Sequence, residues 1–167
     1  MNNQDLSNAL TGTAYNRIVQ LRDEIKQSIA DKGLTASGRT QNSLRVYVDG
    51  NTVVLEGRAF FASLEYGSAP WSGKTGIRCS YEEFKEIIRQ WASDKGLNFG
   101  QAKEHKKVVA NIAWTIMNQG TKLYWAHGYR DVYDTLIEKA VEDIGNQALL
   151  VEAEAVDVVI DQWARIR

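Results

Sequence analysis

The segment LRVYVDGNTVVLEG, residues Leu44 to Gly57, distinguishes this chain from an all-helical protein. Apolar and polar side chains alternate before the central Asp-Gly-Asn, and a β-branched apolar run follows it. Alternation is the pattern of a half-buried strand, and Asp-Gly between two such runs is a strong short-range signal for a hairpin. The segment therefore predicts two antiparallel strands joined by a tight turn.

Helical periodicity dominates the rest of the chain. Apolar residues recur at intervals of three and four from Ala14 to Lys32, and Gly33 supplies the residue type that commonly ends a helix. Ser80 begins SYEEF, a capping box whose helix should stop near Gly96, and a further helix is expected over residues 103–118. The predicted class is α+β, a small antiparallel hairpin packed with several helices, with a helix-rich C-terminal half.

Residues 131–165 predict a long last helix. Its apolar residues form a heptad-like seam: Ile137, Val141, Ile144, Ala148, Val151, Ala155 and Val158. A continuous helix would be roughly 50 Å long, so it either folds back on the first helix and the hairpin, bends near Gly145, or packs on another copy. The expected organisation is a flexible N-terminus at 1–13, an α+β core domain at 14–130, and a C-terminal helical extension at 131–167 that can belong to the same domain.

Composition narrows the functional class. The 167 residues carry a net charge of −1, which gives no global field for capturing nucleic acid or an anionic membrane. The single Cys79 cannot form an internal disulfide, and the first residues lack the pattern of a signal peptide. We therefore expect synthesis in a reducing cytoplasm and no association with a membrane.

The sequence predicts no catalytic, cofactor or metal site. Gly73-Lys74-Thr75-Gly76 copies the second half of a phosphate loop, but the glycine required five positions before Gly73 is replaced by Ser68. His105 and His127 stand in different contexts and do not make a zinc site. No segment brings a nucleophile beside a base, so the chain is expected not to be an enzyme.

Aromatic residues in probable loops are the most informative side chains. Trp and Tyr give large contact areas at low entropy cost and are enriched at protein interfaces. The simpler alternative is that most of the aromatic side chains fill the core. We assign Trp91 and Trp114, inside helical patterns, to the core, and Trp71 and Trp125 to an interface.

Two short motifs flank the hairpin. The first, in ASGRTQNSLRV, consists of Ser37, Gly38, Arg39, Asn42, Ser43 and Leu44. The second, in AFFASLEYGSAP, consists of Phe61, Ala62, Leu64, Glu65, Tyr66, Gly67 and Ser68. Their order, followed by WASDKGL and two helices, resembles the neck and tail-component family of tailed phages typified by gp10 of phage HK97. The resemblance covers residues 14–145, and the chain departs from it in the loop at 70–80 and in the C-terminal helical region.

The resemblance implies a non-enzymatic virion protein in the neck or at the head-proximal end of the tail. Such a protein would form a homo-oligomeric ring, sixfold or twelvefold, and contact other neck and tail proteins without specific nucleic-acid binding. Segments 71–77 and 124–130 would order on a neighbour. The interface or structural candidates are Arg39, Glu65, Trp71, Lys74, Tyr124, Trp125, Tyr129 and Arg130, and Glu65 is expected to pair with a basic group such as Arg39, within or between subunits.

Two other functions remain open at the level of sequence. The basic run from Lys103 to Lys107 could contact phosphate in a nucleic-acid-binding module, although such a run is usually a solvated helix face. A small hydrolase with an unrecognised site is the third possibility.

Overall fold

The computed structural model describes residues 3–58, 61, 63–71, 79–99 and 102–165, and the side chains of residues 4–153 within those ranges. The helices and strands follow one another in this order: α1 (Asn3–Asp31), α2 (Arg39–Asn42), β1 (Arg45–Asp49), β2 (Thr52–Glu56), α3 (Ser63–Tyr66), α4 (Tyr81–Asp94), α5 (Ala102–Gln119), α6 (Lys122–Trp125) and α7 (Asp134–Arg165). The predicted class, α+β with a small antiparallel hairpin and a helix-rich C-terminal half, is confirmed.

The chain forms two compact units. The first unit comprises residues 1–33, 41–58 and 132–167, and the second comprises residues 34–40 and 59–131. The chain thus passes from one unit to the other after residues 33, 40, 58 and 131. Residues 3–13, expected to form part of a flexible N-terminus, belong to α1.

The first unit is organised around α1, which packs on α7 and on both strands of the hairpin. Leu21, Ile25 and Ile29 are buried along α1, on the face that the periodicity of the sequence predicts. In the hairpin, Asp49 pairs with Thr52 across the turn and Arg45 pairs with Glu56 at the far end. Burial of one helix face against the hairpin gives two short strands the support that an isolated pair lacks in water.

Helix α7 runs without interruption through Gly145 and packs on α1, so it folds back on the first helix, which was one of the predicted alternatives. The buried face differs from the predicted seam, however. Ala140 is fully buried, whereas Ile137 and Val141, which the seam prediction placed inside, are exposed. Ala155 and Val158 lie where side chains are not described. The face turned toward α1 is set by Ala140 and Asp143, because a salt bridge to α1 anchors α7 there.

That salt bridge involves a buried cation. Arg17 in α1 is only 5% exposed, and its Nε donates a hydrogen bond of 2.8 Å to Oδ2 of Asp143 in α7. Its terminal nitrogens lie 3.4 Å from Oε2 of Glu24, which is seven residues further along α1. Both carboxylates are more than a third exposed. The buried guanidinium between the two helices therefore needs these carboxylates to satisfy its charge and hydrogen bonds, whereas the carboxylates are also accessible to water.

This asymmetry predicts unequal effects of removing either partner. Asp143→Ala leaves the buried guanidinium with Glu24 alone and should lower the free energy of unfolding by about 2–3 kcal/mol. Arg17→Met keeps an apolar stem in place and releases carboxylates that water can solvate, so its loss should be nearer about 1 kcal/mol. Asp23→Ala, which breaks the exposed pair with Arg22 on α1, is the control and should change stability by less than about 0.5 kcal/mol. Urea unfolding followed by circular dichroism measures all three, and equal losses for Arg17→Met and Asp143→Ala would contradict this account.

The second unit has its own core between α4 and α5. Its buried residues are Phe84, Ile88, Val109, Ala113 and Met117. The buried face of α5 lies one residue further along the helix than the face predicted from Val108, Ile112 and Ile116, the last two of which are only partly buried against the cluster. Two tryptophans predicted as core residues are exposed, Trp114 in α5 by 52% and Trp91 in α4 by 38%.

The capping box predicted at the start of α4 is confirmed. The amide of Glu83 donates to Oγ of Ser80 at 3.3 Å, and the amide of Ser80 donates to Oε2 of Glu83 at 2.7 Å. The hydrogen bonds from the backbone and side chain of Ser80 hold the pKa of Glu83 below its ordinary value of 4.5. A carboxyl whose pKa is lowered on folding stabilises the protein above its unfolded pKa, and this contribution is lost as the pH falls through the folded pKa.

Glu83→Gln should therefore lower the melting temperature by a few degrees at pH 7. The gap between wild type and variant should narrow as the pH drops from about 5 through the lowered pKa, because the wild-type carboxylate is then protonated. Glu104→Gln, in the first turn of α5, is the matched control for the general effect of a charge near a helix N-terminus. A gap that stays constant from pH 7 to pH 3 would show that the carboxylate form of Glu83 contributes nothing.

Candidate functional site

Two stretches of the second unit, residues 65–71 and 117–130, run against each other and bring α3 close to α6. The amide of Ser68 donates to Oγ1 of Thr121 at 3.0 Å, and the amide of Thr121 donates back to the carbonyl of Ser68 at 2.9 Å. Further along, the amide of Trp71 donates to the carbonyl of Met117 at 3.0 Å. These backbone contacts fix the register between two segments that are some fifty residues apart in sequence.

Two glycines permit this close approach. Gly67 has φ of 80°, and a Cβ there would lie 2.3 Å from Oγ1 of Thr121 and 2.7 Å from the amide nitrogen of Tyr124. Gly120 has φ of 85°, and a Cβ there would lie 2.7 Å from the carbonyl oxygen of Ser68. Only glycine combines this backbone conformation with the space available. The sequence analysis named Gly67 only as part of the second motif and did not identify its close contact with Thr121.

Helix α6 presents aromatic side chains beside this crossing. Thr121 is its N-cap and accepts a hydrogen bond of 3.4 Å from the amide of Tyr124. The indole Nε1 of Trp125 donates to the carbonyl of Gln119, which holds the ring in one orientation. The α6 turn is short, so its geometry comes from these caps and from the glycine contacts more than from helix propensity.

Four aromatic side chains, Tyr66, Tyr124, Trp125 and Tyr129, form what we call the aromatic surface. They are between 40% and 59% exposed. The rings of Tyr66 and Tyr129 lie 5.5 Å apart, and those of Tyr124 and Trp125 lie 6.0 Å apart in an edge-on arrangement. The Tyr129 hydroxyl donates to Oδ1 of Asp131 at 3.1 Å. Large rings in defined orientations and half open to water are typical of a surface that contacts another protein.

Of the predicted candidates, Glu65, Tyr124, Trp125, Tyr129 and Arg130 lie in these two stretches. The amide of Arg130 donates to the carbonyl of Glu65 at 3.2 Å, so the two residues meet through their backbones. The Glu65 side chain is fully buried in α3. Tyr66, which the sequence analysis did not include among its interface candidates, completes the aromatic surface.

Within the described chain Arg39 forms an ion pair with Asp94, and a pair between Arg39 and Glu65 of different subunits stays a prediction. Arg39 donates through its terminal nitrogen to Oδ2 of Asp94 at 3.0 Å and through Nε to Oγ of Ser37 at 2.8 Å. Hydrogen bonding from Gln90 and then the charge of Arg39 hold the pKa of Asp94 below its ordinary value. The guanidinium is more than half exposed, whereas Glu65 is buried, so the two groups occupy different environments.

Trp71 and Lys74 have different outcomes. Trp71 was predicted as an interface residue, but its ring is partly buried and packs edge-on against Phe84 at 5.2 Å, as part of the α4–α5 core. Lys74 lies outside the described residues.

Two partners of predicted candidates were missed by the sequence analysis: Thr121, which accepts from the amide of Tyr124, and Asp94, which pairs with Arg39. Thr121 carries a readable signal, since a threonine after glycine and before an aromatic run is a common N-cap. Asp94 carries none, because its partner Arg39 is distant in sequence.

The described residues contain no group of three or more histidine, cysteine, aspartate or glutamate side chains placed to hold a metal ion. Burial raises the pKa of the Cys79 thiol. Among the helices described, none combines the length and apolar character needed to cross a bilayer.

Comparison with family models, curated proteins and solved structures finds no match to this chain.

The close approach at Gly67 can be tested by adding a single methyl group. Gly67→Ala should lower the free energy of unfolding by about 3 kcal/mol or more and shift the tryptophan fluorescence, because the new Cβ collides with backbone and forces α6 away. Gly96→Ala is the matched control, since Gly96 has φ of 67° but no atom within 4 Å of its added Cβ. Gly96→Ala should lower the free energy of unfolding only by the cost of a Cβ in the left-handed backbone region, about 1 kcal/mol. Similar losses for the two variants would contradict a steric role for Gly67.

Proposed function

We propose that this chain is a non-enzymatic structural protein of a tailed phage, a ring-forming neck or tail-completion component that joins or terminates the tail at the head. Two things support the proposal: the motifs at Ala36–Val46 and Ala59–Pro70, which resemble the phage neck and tail-component family, and the aromatic surface. The aromatic surface is the observation that carries it.

The aromatic surface has the chemistry of a protein contact. Tyrosine and tryptophan are enriched at the centres of interfaces, where a few such residues supply most of the binding energy. Here the rings are held before any partner arrives, since Trp125 donates to Gln119 and Tyr129 donates to Asp131. A preorganised surface loses less side-chain entropy on binding than a flexible one.

The partner proposed for the aromatic surface is the adjacent copy of this chain in the ring. A contact between unlike surfaces of neighbouring copies closes into a ring when the rotation between copies permits it. Each copy then contributes to two contacts, so that contacts too small to hold a free pair together become sufficient in a closed ring. The proposed location is the virion neck or the head-proximal end of the tail, with synthesis in the bacterial cytoplasm.

The nucleic-acid alternative has one observation in its favour. Lys103, Lys106 and Lys107 are all exposed near the start of α5, and none takes part in an ion pair between described residues. Lysines spaced three and four residues apart share a helix face, which could follow a phosphate backbone. It remains the second candidate because three charges on a chain of net charge −1 make a weak electrostatic site.

The test uses particles assembled without this gene and then with variants of it. Loss of the gene should give full heads beside finished, unattached tails in negative-stain micrographs. Complementation with Trp125→Ala should fail to restore joined particles, since it removes the largest exposed ring of the aromatic surface. Trp114→Ala, which removes a comparably exposed tryptophan from α5, is the control and should restore them.

Melting curves of both purified variants show whether any failure reflects misfolding. Normal, infectious tailed particles in the absence of the gene would overturn the neck assignment and make salt-dependent binding of nucleic acid the next measurement. Equal complementation by the two variants would remove the aromatic surface from the assembly contact while leaving the neck assignment in place.

A further inference from the structure

No other strand among the described residues pairs with the outer edge of β1. Within the described chain β1 pairs with β2 alone, in a two-stranded sheet. The turn at Gly50 and Asn51 is closed by the pair Asp49 and Thr52. Because hydrogen-bonded and non-hydrogen-bonded pairs alternate in an antiparallel ladder, the residues next to that closing pair, Val46 and Val48 included, direct their backbone N–H and C=O groups away from β2.

The side chains along β1 are also more open than those along β2. Tyr47 and Val48 are 44% and 46% exposed, whereas Val53, Val54 and Leu55 in β2 are all partly buried. Val48 shares its face of the sheet with Val46, Val53 and Leu55, an entirely apolar set. An exposed valine at the outer border of an apolar face marks the place where another strand would extend that face.

The sequence of β1, Arg45-Val46-Tyr47-Val48-Asp49, is complementary to itself when it is read in the opposite direction. A two-fold axis through Tyr47 places Arg45 of one copy opposite Asp49 of the other, on both sides of the axis. The same axis places Val46 opposite Val48 of the second copy, and these are the residues whose backbone groups point outward. Each such pair can exchange both hydrogen bonds of an antiparallel ladder.

We propose that the free protein forms a two-fold homodimer in which the β1 strands of two copies pair antiparallel about Tyr47, giving a four-stranded sheet in the order β2, β1, β1, β2. The observations that carry this proposal are the open edge, the exposed Tyr47 and Val48, and the opposite charges that the axis brings together. It does not rest on the phage assignment.

Other strand pairings fit less well. A two-fold axis through Val54 would pair two β2 strands and place Thr52 opposite Glu56, with no opposite charges. Pairing of β1 with β2 of a second copy repeats the internal register and gives one charge pair, Arg45 with Glu56, where the β1 dimer gives two. In the β1 dimer Arg45 can keep its exposed pair with Glu56, at 3.5 Å, because the guanidinium has donors to spare.

The dimer should be weak. A five-residue strand is about 17 Å long, so the interface falls below the roughly 1,000 Å² of stable complexes. A dissociation constant of micromolar order or weaker is expected, and sedimentation velocity at about 10 to 300 μM should show monomer and dimer in exchange. A cyclic ring has no two-fold axis between its neighbours. The dimer is therefore a state of the free protein, in which the β1 edge is covered before assembly.

Removing a single outward N–H tests the edge. Val48→Pro leaves the hydrogen bonds between β1 and β2 intact but deletes one donor from the outer edge of β1. It should raise the dissociation constant at least tenfold. Val53→Pro is the matched control, because Val53 is the cross-strand partner of Val48 and its N–H points to the outer edge of β2. A protein that is monomeric at all these concentrations, or a dimer weakened equally by the two variants, would overturn the proposal.

A cysteine at the two-fold axis gives a second test that does not depend on tolerance of proline. Tyr47 faces itself as a non-hydrogen-bonded pair, with Cα atoms about 4.5 Å apart, within the range that a disulfide spans. In a Cys79→Ser background, Tyr47→Cys should form a covalent dimer under mild oxidation. Val54→Cys, across from Tyr47 on the same face, should not. A lack of cross-linking by Tyr47→Cys, or equal cross-linking by both variants, would overturn the two-fold geometry.

Charge reversal distinguishes pairing about Tyr47 from any other register or partner at the outer edge of β1. Asp49→Arg places two arginines opposite each other and should weaken the dimer several-fold, and Arg45→Asp should do the same with two aspartates. The double variant Arg45→Asp with Asp49→Arg restores opposite charges at both positions and should recover dimerisation. Failure of the double variant to improve on either single variant, while remaining folded, would exclude pairing about Tyr47.

Discussion

The close approach between Ser68 and Thr121 determines what the second unit can present to a partner. The two residues exchange hydrogen bonds, and Gly67 and Gly120 lie beside them where a side chain would collide. A Cβ at Gly67 would meet the amide nitrogen of Tyr124, the first large ring of α6. The position of α6 is thus set by steric exclusion at glycine and by hydrogen bonds to the backbone of Ser68 and to Oγ1 of Thr121, none of which involves the exposed aromatic side chains. A rigid base of this kind can carry aromatic side chains without being distorted by them.

In the first unit, the buried guanidinium of Arg17 fixes how α7 packs on α1. Two amphipathic helices packed only through aliphatic side chains can slide or rotate with little change in energy, since hydrophobic burial is non-directional. The Arg17 guanidinium has fixed geometry and must be satisfied by Asp143 and Glu24, which defines one alignment of α7 on α1. This explains why the buried face of α7 passes through Ala140 instead of through Val141. The apolar pattern of a helix alone does not contain the salt bridge that selects the buried face.

The sequence predicted those features that depend on neighbouring residues. The hairpin follows from alternation around Asp-Gly, and the capping box follows from Ser80 and Glu83. What could not be predicted depends on which distant residues meet. Arg39 pairs with Asp94 because the fold places them together, and no local pattern identifies an exposed acid as the partner of an exposed base. Trp114 was assigned to the core because it lies inside a helical pattern, but α5 packs through Val109, Ala113 and Met117, and the side chain of Trp114 is 52% exposed.

The same division explains what could be anticipated of the aromatic surface. Tyr124, Trp125 and Tyr129 were identified because large rings in short polar segments are seldom needed for a core, but their grouping with Tyr66 required the crossing at Gly67. Exposed tyrosines and tryptophans are tolerable in a free protein because each keeps a polar group available to water or to a nearby acceptor. The outer edge of β1 differs from the aromatic surface, because no described strand pairs with it and a further extended chain can add to the sheet there. Because the sequence of β1 is complementary to itself in the antiparallel direction, the preferred partner at that edge is another copy in one register. Arg45 and Asp49 disfavour the register shifts that bring like charges together.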